Sequence, residues 1–246
     1  PAYYDQIIGN VILNDAEVSG GSAGTFTEGT SEVALLPVPK LPDTSGKPQP
    51  IASFTRSGTD WIVSVSLPEA AIQFGYRIGE TGDFTDNGTL DVLDQRTGKR
   101  TPKTHFQLDG DQAATTIYVT WRDKRGEEAG VYPIVFDPDS ELKAGQKSIL
   151  KDTQGSWIAF REYEGLLVYF SHLVSYRCAI KSVRYGLDGA APDTPYEMPP
   201  CDPANPFVLP EDAVIYKKLP EGTKALNLVL EFFDGEQVAK TFKVKF

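Results

Sequence analysis

The sequence has very little histidine, methionine and cysteine, and it has fewer basic than acidic residues. Its 246 residues include two His, one Met and two Cys, and 24 Lys and Arg stand against 34 Asp and Glu. The resulting net charge of −10 argues against a nucleic-acid partner, because phosphate binding requires clustered Lys and Arg. Because so little His is available for acid–base chemistry, we expect a non-enzymatic protein with no catalytic residues.

Long apolar runs are missing as well. No window approaches 18 consecutive apolar residues, so we expect no membrane span. The chain starts at Pro1 without a charged and then apolar leader, which predicts a processed product or a part of a larger protein. Hydrophobic residues still make up 40% of the chain, which is enough for the buried core of one large or two ordinary domains.

Turn-forming residues are abundant, with 22 Gly and 18 Pro. Four short segments between them are rich in β-branched and aromatic residues and predict strands: 61–65, 72–78, 116–121 and 132–136. No segment keeps a helical spacing of apolar residues over three turns. For residues 140–150 we expect a short helix or a turn-like linker, and for the whole chain an all-β fold.

The strand-like blocks recur along the chain. Residues 74–78 and 183–187 share apolar and aromatic side chains at alternate positions, at an offset of 109. Three later blocks, which begin at His105, Ile117 and Tyr132, recur in the same order at offsets of 110 or 111. This period is the size of one immunoglobulin-like sandwich, about 100 residues. We therefore predict two tandem immunoglobulin-like β-sandwiches, at residues 50–140 and 148–246.

Residues 1–49 do not fit this period and are predicted to form an N-terminal arm and linker. Residues 6–13 read as a strand, followed by a Gly- and Ser-rich stretch and then a Pro-rich one. One interpretation is an extended arm that lays a strand on the first sandwich. The other is a donor strand, within residues 3–13, that completes a sheet of a neighbouring subunit.

Short motifs in the repeats resemble a known class of module. Residues 180–193 place Tyr185 on a strand, followed by the turn Asp188-Gly189 and then Pro192, and a hairpin with Asp234-Gly235 comes before the last strand. This pattern is similar to that of fibronectin-III-like and chitobiase C-terminal-like modules of secreted bacterial proteins. The first repeat departs from it, because residues 76–82 lack the Asp-Gly pair. The resemblance implies spacers, interaction surfaces or carbohydrate-associated accessories, and no catalytic residues.

The two cysteines, Cys178 and Cys201, lie in an apolar strand-like run and in a Pro-rich loop. We predict a disulfide between them, because a Pro-rich loop has few other ways to be held; the alternative is two unrelated thiols. A bridge would close a loop of about 20 residues and add about 3 kcal/mol of stability. It would also require an oxidising compartment, so the expected location is secreted, periplasmic or at the cell surface.

An acidic loop is the one candidate cofactor site in the sequence. Residues 83–94 supply several carboxylates, and calcium binds six to eight oxygen atoms. The candidate ligands are Asp83, Asp86, Asp91 and Asp94. The spacing does not match an EF-hand, and aspartates also stabilise turns through their own hydrogen bonds, so an ordinary turn is the alternative.

Two aromatic residues and two loops are the candidate binding features. Trp157 and Tyr163 flank an irregular stretch, so we expect them to be exposed and able to stack on a ligand. The long polar loops 79–104 and 188–212 occupy the same place in each repeat, and loops of this length are often functional. The expected partners are other protein subunits or surface glycans.

These features predict an extracellular binding or structural protein. Two alternatives stay open at this stage: a subunit of a surface filament that uses the N-terminal segment as a donor strand, and an accessory carbohydrate-binding part of a secreted carbohydrate-active enzyme. Both differ from the first prediction in the partner and not in the expected fold.

Overall fold

The structure is a computed structural model that describes residues 48–245. Strands dominate this part of the chain and form antiparallel sheets, which confirms the predicted all-β class. Two α-helices accompany them here, α1 (Pro138–Asp152) and α2 (Ser171–Ser175), and neither is long and apolar enough to cross a membrane. The predicted arm, with its candidate donor strand, lies outside the described residues except for residues 48 and 49.

The first group of strands forms two sheets around one hydrophobic core, and we call it the first sheet pair. Its three-stranded sheet has the order β1-β2-β7, and its four-stranded sheet the order β4-β3-β8-β9. Strands β5 and β6 form a separate hairpin. The strands are β1 (Ile51–Ser57), β2 (Asp60–Ser66), β3 (Ala71–Ile78), β4 (Thr85–Asp86), β5 (Thr89–Asp94), β6 (Lys99–Pro102), β7 (His105–Leu108), β8 (Thr115–Asp123) and β9 (Tyr132–Phe136).

The second sheet pair is built in the same way around a second core. Its sheets have the orders β10-β11-β14 and β13-β12-β15-β16. The strands are β10 (Ala159–Glu162), β11 (Leu166–Tyr169), β12 (Ile180–Leu187), β13 (Thr194–Tyr196), β14 (Tyr216–Lys218), β15 (Ala225–Phe232) and β16 (Gln237–Lys243). Without the β5–β6 hairpin, each sheet pair has seven strands in the same order. All four segments predicted as strands lie within strands of the first pair.

Backbone details also repeat between the two sheet pairs. The pairing of β3 with β8 is irregular between Ala71 and Gln73, and that of β12 with β15 between Ile180 and Ser182, at an offset of 109 residues. In the hairpins that follow, Gly126 donates to the carbonyl of Asp123, and Gly235 to that of Phe232, again at an offset of 109. The predicted offset of 111 for the block at Ile117 is therefore wrong by two residues. An even shift keeps the same side chains on the buried face, so the pattern of burial conceals it.

Alternation along the central strands fills the two cores. On β8, the buried side chains of Ile117, Val119 and Trp121 point to one face of the sheet. On β15, the buried residues are Leu226, Leu228, Leu230 and Phe232. The aromatic residues between the sheets stack in each core, as Trp121 does on Tyr132 in the first and Phe170 on Tyr196 in the second.

Helix α1 connects the two sheet pairs and is longer than predicted. Its N-cap Asp137 accepts hydrogen bonds from the backbone amides of Asp139 and Ser140, and Pro138 occupies the first turn. The buried residues Leu142, Gln146 and Leu150 lie four residues apart on one face. Leu142 belongs to the first core and Leu150 to the second. Because α1 contributes to both cores, it belongs to neither sheet pair alone. The predicted domain boundaries at residues 140 and 148 therefore remain a prediction.

Candidate interaction surface

The connection from β13 to β14 is the candidate functional region, and we call residues 197–215 the anchored loop. No strand lies within these residues. The predicted disulfide is confirmed: Cys178 and Cys201 are bonded, with Cα atoms 5.0 Å apart. Cys178 is buried in the first core, and Cys201 packs against that core. The bond therefore fastens a loop of the second sheet pair beside the core of the first.

A buried guanidinium holds the same loop from the protein interior. Arg177 is only 2% exposed. It donates four hydrogen bonds to backbone carbonyl oxygens: Nε to Pro200 at 2.8 Å, Nη1 to Pro206 at 2.9 Å and to Val174 at 3.3 Å, and Nη2 to Val208 at 2.6 Å. Burial lowers the pKa of Arg177, and nearby Asp202 opposes this shift. An arginine stays protonated in such a site, so one charge orders three carbonyls of the loop.

Further side chains hold the loop at two more positions. The Tyr196 hydroxyl donates to the carbonyl of Val214 at 2.7 Å, and burial raises the pKa of Tyr196 to about 12. From the first sheet pair, Arg56 Nη2 donates to the carbonyl of Ala204 at 3.0 Å. Side chains therefore provide for this loop the pairing that strand partners provide in a sheet.

The anchored loop exposes apolar side chains. Phe207, Val208 and Leu209 follow one another between Pro206 and Pro210, and they are 51%, 66% and 37% exposed. We call these three residues the apolar patch. Single exposed apolar residues are ordinary in proteins, whereas consecutive ones on an ordered loop are typical of an interaction site.

The four aspartates predicted to bind calcium have been placed apart. Asp86 accepts from the side chain of Gln73, Asp91 pairs with Arg100 at 2.7 Å, and Asp94 pairs with Arg96 at 2.7 Å; Asp83 is exposed. Within residues 48–245, no three Asp, Glu, His or Cys side chains are grouped closely enough to hold a metal ion. The structure therefore does not support this calcium site. Hydrogen bonds from Arg96 hold the pKa of Asp94 below its ordinary value. Asp94 therefore stabilises its own turn, which was the alternative to a calcium site.

The two predicted ligand-binding aromatic residues differ in burial. Trp157 is fully buried in the second core, so its prediction as an exposed residue is wrong. Its indole N–H donates to the carbonyl of Leu150 at 2.8 Å. That carbonyl lies in the last turn of α1, where carbonyls have no partner within the helix. Tyr163 is exposed at the β10–β11 turn, with the Arg161 guanidinium 5.8 Å from its ring.

One histidine has a defined hydrogen bond. His172 lies in the first turn of α2, and its Nε2 is 2.7 Å from Thr153 Oγ1. Burial lowers the pKa of His172, which favours the neutral form of the ring. Its contact joins α2 to the end of α1.

The sequence contained one direct sign of the apolar patch. The stretch Pro-Phe-Val-Leu-Pro at 206–210 places three apolar residues between prolines inside a polar loop. Nothing in the sequence marks Arg177 as a buried residue, because its partners are backbone carbonyls as many as 31 positions away.

The sequence matches no protein-family model and no curated protein. The likeness to fibronectin-III-like and chitobiase C-terminal-like modules therefore stays a prediction.

Proposed function

We propose that this protein is a non-enzymatic, extracellular binding protein of two tandem immunoglobulin-like modules, and that the apolar patch contacts another protein subunit. One observation carries the proposal: exposed apolar side chains lie on a loop that is held in place. Phe207, Val208 and Leu209 face solvent, and Arg177 and the disulfide fix the loop that bears them. Binding through an ordered loop loses less conformational entropy than binding through a mobile one.

The arrangement of strands supports the modular part of the proposal. A three-stranded sheet opposite a four-stranded one, repeated with the same strand order, is the expected layout of tandem sandwiches. The disulfide supports an oxidising compartment, because such bonds are rare where thiols are kept reduced.

The two alternatives have less support. Carbohydrate binding was predicted through Trp157 and Tyr163 together. Trp157 is fully buried, so it is not available to stack on a sugar. The donor-strand hypothesis depends on residues 3–13, which lie outside the described residues. A protein partner at the anchored loop is therefore the proposal to test first.

Photo-cross-linking at position 208 tests this partner directly. A benzoylphenylalanine placed at Val208 should form one discrete adduct with a protein from the extracellular fraction of the producing cells. Excess unlabelled wild-type protein should compete for the adduct, and Val208→Glu protein should not, because a buried unpaired charge opposes apolar contact.

A second exposed valine is the matched control. Val135 on β9 is 74% exposed and lies outside the anchored loop. The same cross-linker at position 135 should give no competed adduct, and Val135→Glu protein should compete as well as wild type. Equal adducts at both positions, or none at position 208, would contradict the proposal.

A further inference from the structure

Every buried side-chain N or O atom that lacks a hydrogen-bond partner in residues 48–245 belongs to a residue that lines one groove beside α1. These atoms are Arg56 Nε, Trp61 Nε1, and both Nε2 and Oε1 of Gln146. All three residues line one groove of about 310 Å³. Native proteins leave few such atoms unpaired, so their grouping in one place requires an explanation.

The position of Gln146 is unusual for a polar residue. It is 4% exposed and lies on α1 between Leu142, which belongs to the first core, and Leu150, which belongs to the second. An apolar residue would continue this stripe without a loss of hydrogen bonds. A glutamine here therefore favours a function for its amide at the place where the two sheet pairs meet.

Gly145 gives a second, independent sign. It lines the same groove, and a Cβ atom at this position would meet no atom within 4 Å. Alanine would fit, and glycine destabilises the interior of a helix relative to alanine. The missing methyl group leaves open space at the groove, directly beside Gln146.

The walls and charges of the groove define what would fit it. Phe54, Ile149 and Phe207 are among its apolar lining residues. Its two charged lining residues, Arg56 and Glu141, have opposite signs, which favours a neutral ligand. The unpaired atoms provide donors from three side chains and one acceptor, the amide oxygen of Gln146. A neutral amide accepts hydrogen bonds through its C=O and donates one through its N–H, so it satisfies both kinds of atom.

We infer that this groove is a binding site for a peptide residue with an apolar side chain, held by its backbone amide against Gln146 and Trp61. The four unpaired atoms are covered in the structure, so binding requires the side chains of Gln146 and Trp61 to shift toward the groove as the ligand enters. This inference rests on the proposed binding function and adds a ligand class to it, because Phe207 belongs both to the apolar patch and to the groove.

Titration with N-acetyl-phenylalaninamide, followed by NMR of the indole N–H and side-chain amide signals, tests this inference. The Trp61 and Gln146 signals should shift and saturate in the millimolar range expected for so small a ligand. Trp121 and Trp157 are internal controls, because their indole N–H groups already donate to Glu69 and Leu150. The Trp61 signal is assigned by its loss in Trp61→Phe protein.

Two control ligands separate the parts of the site. N-acetyl-glycinamide lacks the apolar side chain and should bind at least tenfold more weakly. N-acetyl-phenylalanine keeps the acetyl amide but carries a carboxylate in place of the C-terminal amide, and it should also bind more weakly, because the groove favours a neutral ligand. Buried water alone in the groove would leave the Trp61 and Gln146 signals unmoved by any of the three, and that result would overturn the inference.

Two variants at adjacent positions change the groove. Gln146→Leu should fold and should abolish the shift of the Trp61 signal. Gly145→Ala should raise the melting temperature through its helix propensity and yet weaken binding several-fold, because the methyl group occupies the open space. Unchanged binding in Gly145→Ala would overturn the inference. The cross-link at position 208 is a separate readout, so the patch and the groove can fail independently.

Discussion

The two sheet pairs differ most in the connection between their fourth and fifth equivalent strands. In the first pair, β4 is joined to β7 through the β5–β6 hairpin. The hairpin is held by backbone hydrogen bonds and by two ion pairs. Asp91–Arg100 is exposed, whereas in Asp94–Arg96 the side chain of Asp94 is only 9% exposed. In the second pair, β13 is joined to β14 through the anchored loop, which depends on the buried Arg177, the disulfide and Tyr196.

The difference shows two ways to order a long connection between equivalent strands of the same fold. A hairpin satisfies its own backbone groups and remains an independent surface element. A loop without strand partners requires donors from elsewhere, and here they come from the interior. Contacts made from the interior leave the outer side of the loop free to carry apolar residues.

Removal of the Arg177 guanidinium should have the largest effect. In Arg177→Met protein, three loop carbonyls would lose their donor, and each unpaired buried group costs about 1–3 kcal/mol. We expect the free energy of unfolding to fall by about 3–5 kcal/mol, measured by urea denaturation. Arg100→Met is the control in the hairpin, since that arginine is exposed; a comparable loss there would contradict the comparison.

Removal of the disulfide should come next. Cys178 and Cys201 are 23 positions apart, so the loss of their bond should cost about 3 kcal/mol by the entropy of the closed loop. The measurement is urea denaturation of Cys178→Ala/Cys201→Ala protein. Reductant should lower the wild-type midpoint and leave that of the double variant unchanged. Alkylation of both thiols in unfolded wild-type protein without reductant would exclude the bond.

The ion pair of the hairpin should have the smallest effect. The pKa of Asp94 is lowered by its hydrogen bonds with Arg96, so the pair stabilises the fold at neutral pH and its contribution is lost as the pH falls through that pKa. Asp94→Asn should lower the melting temperature slightly at pH 7 and low salt. The difference from wild type should vanish in acid and shrink at high salt. A difference that grows in acid would contradict this account.

The sequence predicted local structure better than long-range contacts. The strand segments and the repeat follow from alternation, a property of neighbouring residues. The length of α1 was missed although Asp137-Pro138 is a helix-start signal, because Gln146 interrupts the apolar spacing between Leu142 and Leu150. The burial of Trp157 depends on a carbonyl of α1, which no local pattern reveals.

The same distinction between local and long-range features holds for the candidate site. The disulfide was predicted from the Pro-rich context of Cys201. The long loops were predicted only in outline, because β13 lies within residues 188–212, and β4, β5 and β6 lie within residues 79–104. The calcium ligands were not found together, because each of three aspartates has a nearer partner in its own turn or hairpin. The role of Arg177 required the fold, since it depends on which carbonyls the loop turns inward.

The central claim is that a loop without strand partners is ordered by Arg177 and the disulfide. Hydrogen exchange of residues 202–215 in wild-type and Arg177→Lys protein tests it most directly, with the β5–β6 hairpin as reference in the same samples. A lysine keeps the charge and cannot reach three carbonyls at once. We expect the loop to be protected in wild type and to exchange faster in Arg177→Lys protein, while exchange of the hairpin is unchanged. Equal exchange of the loop in both proteins would contradict it.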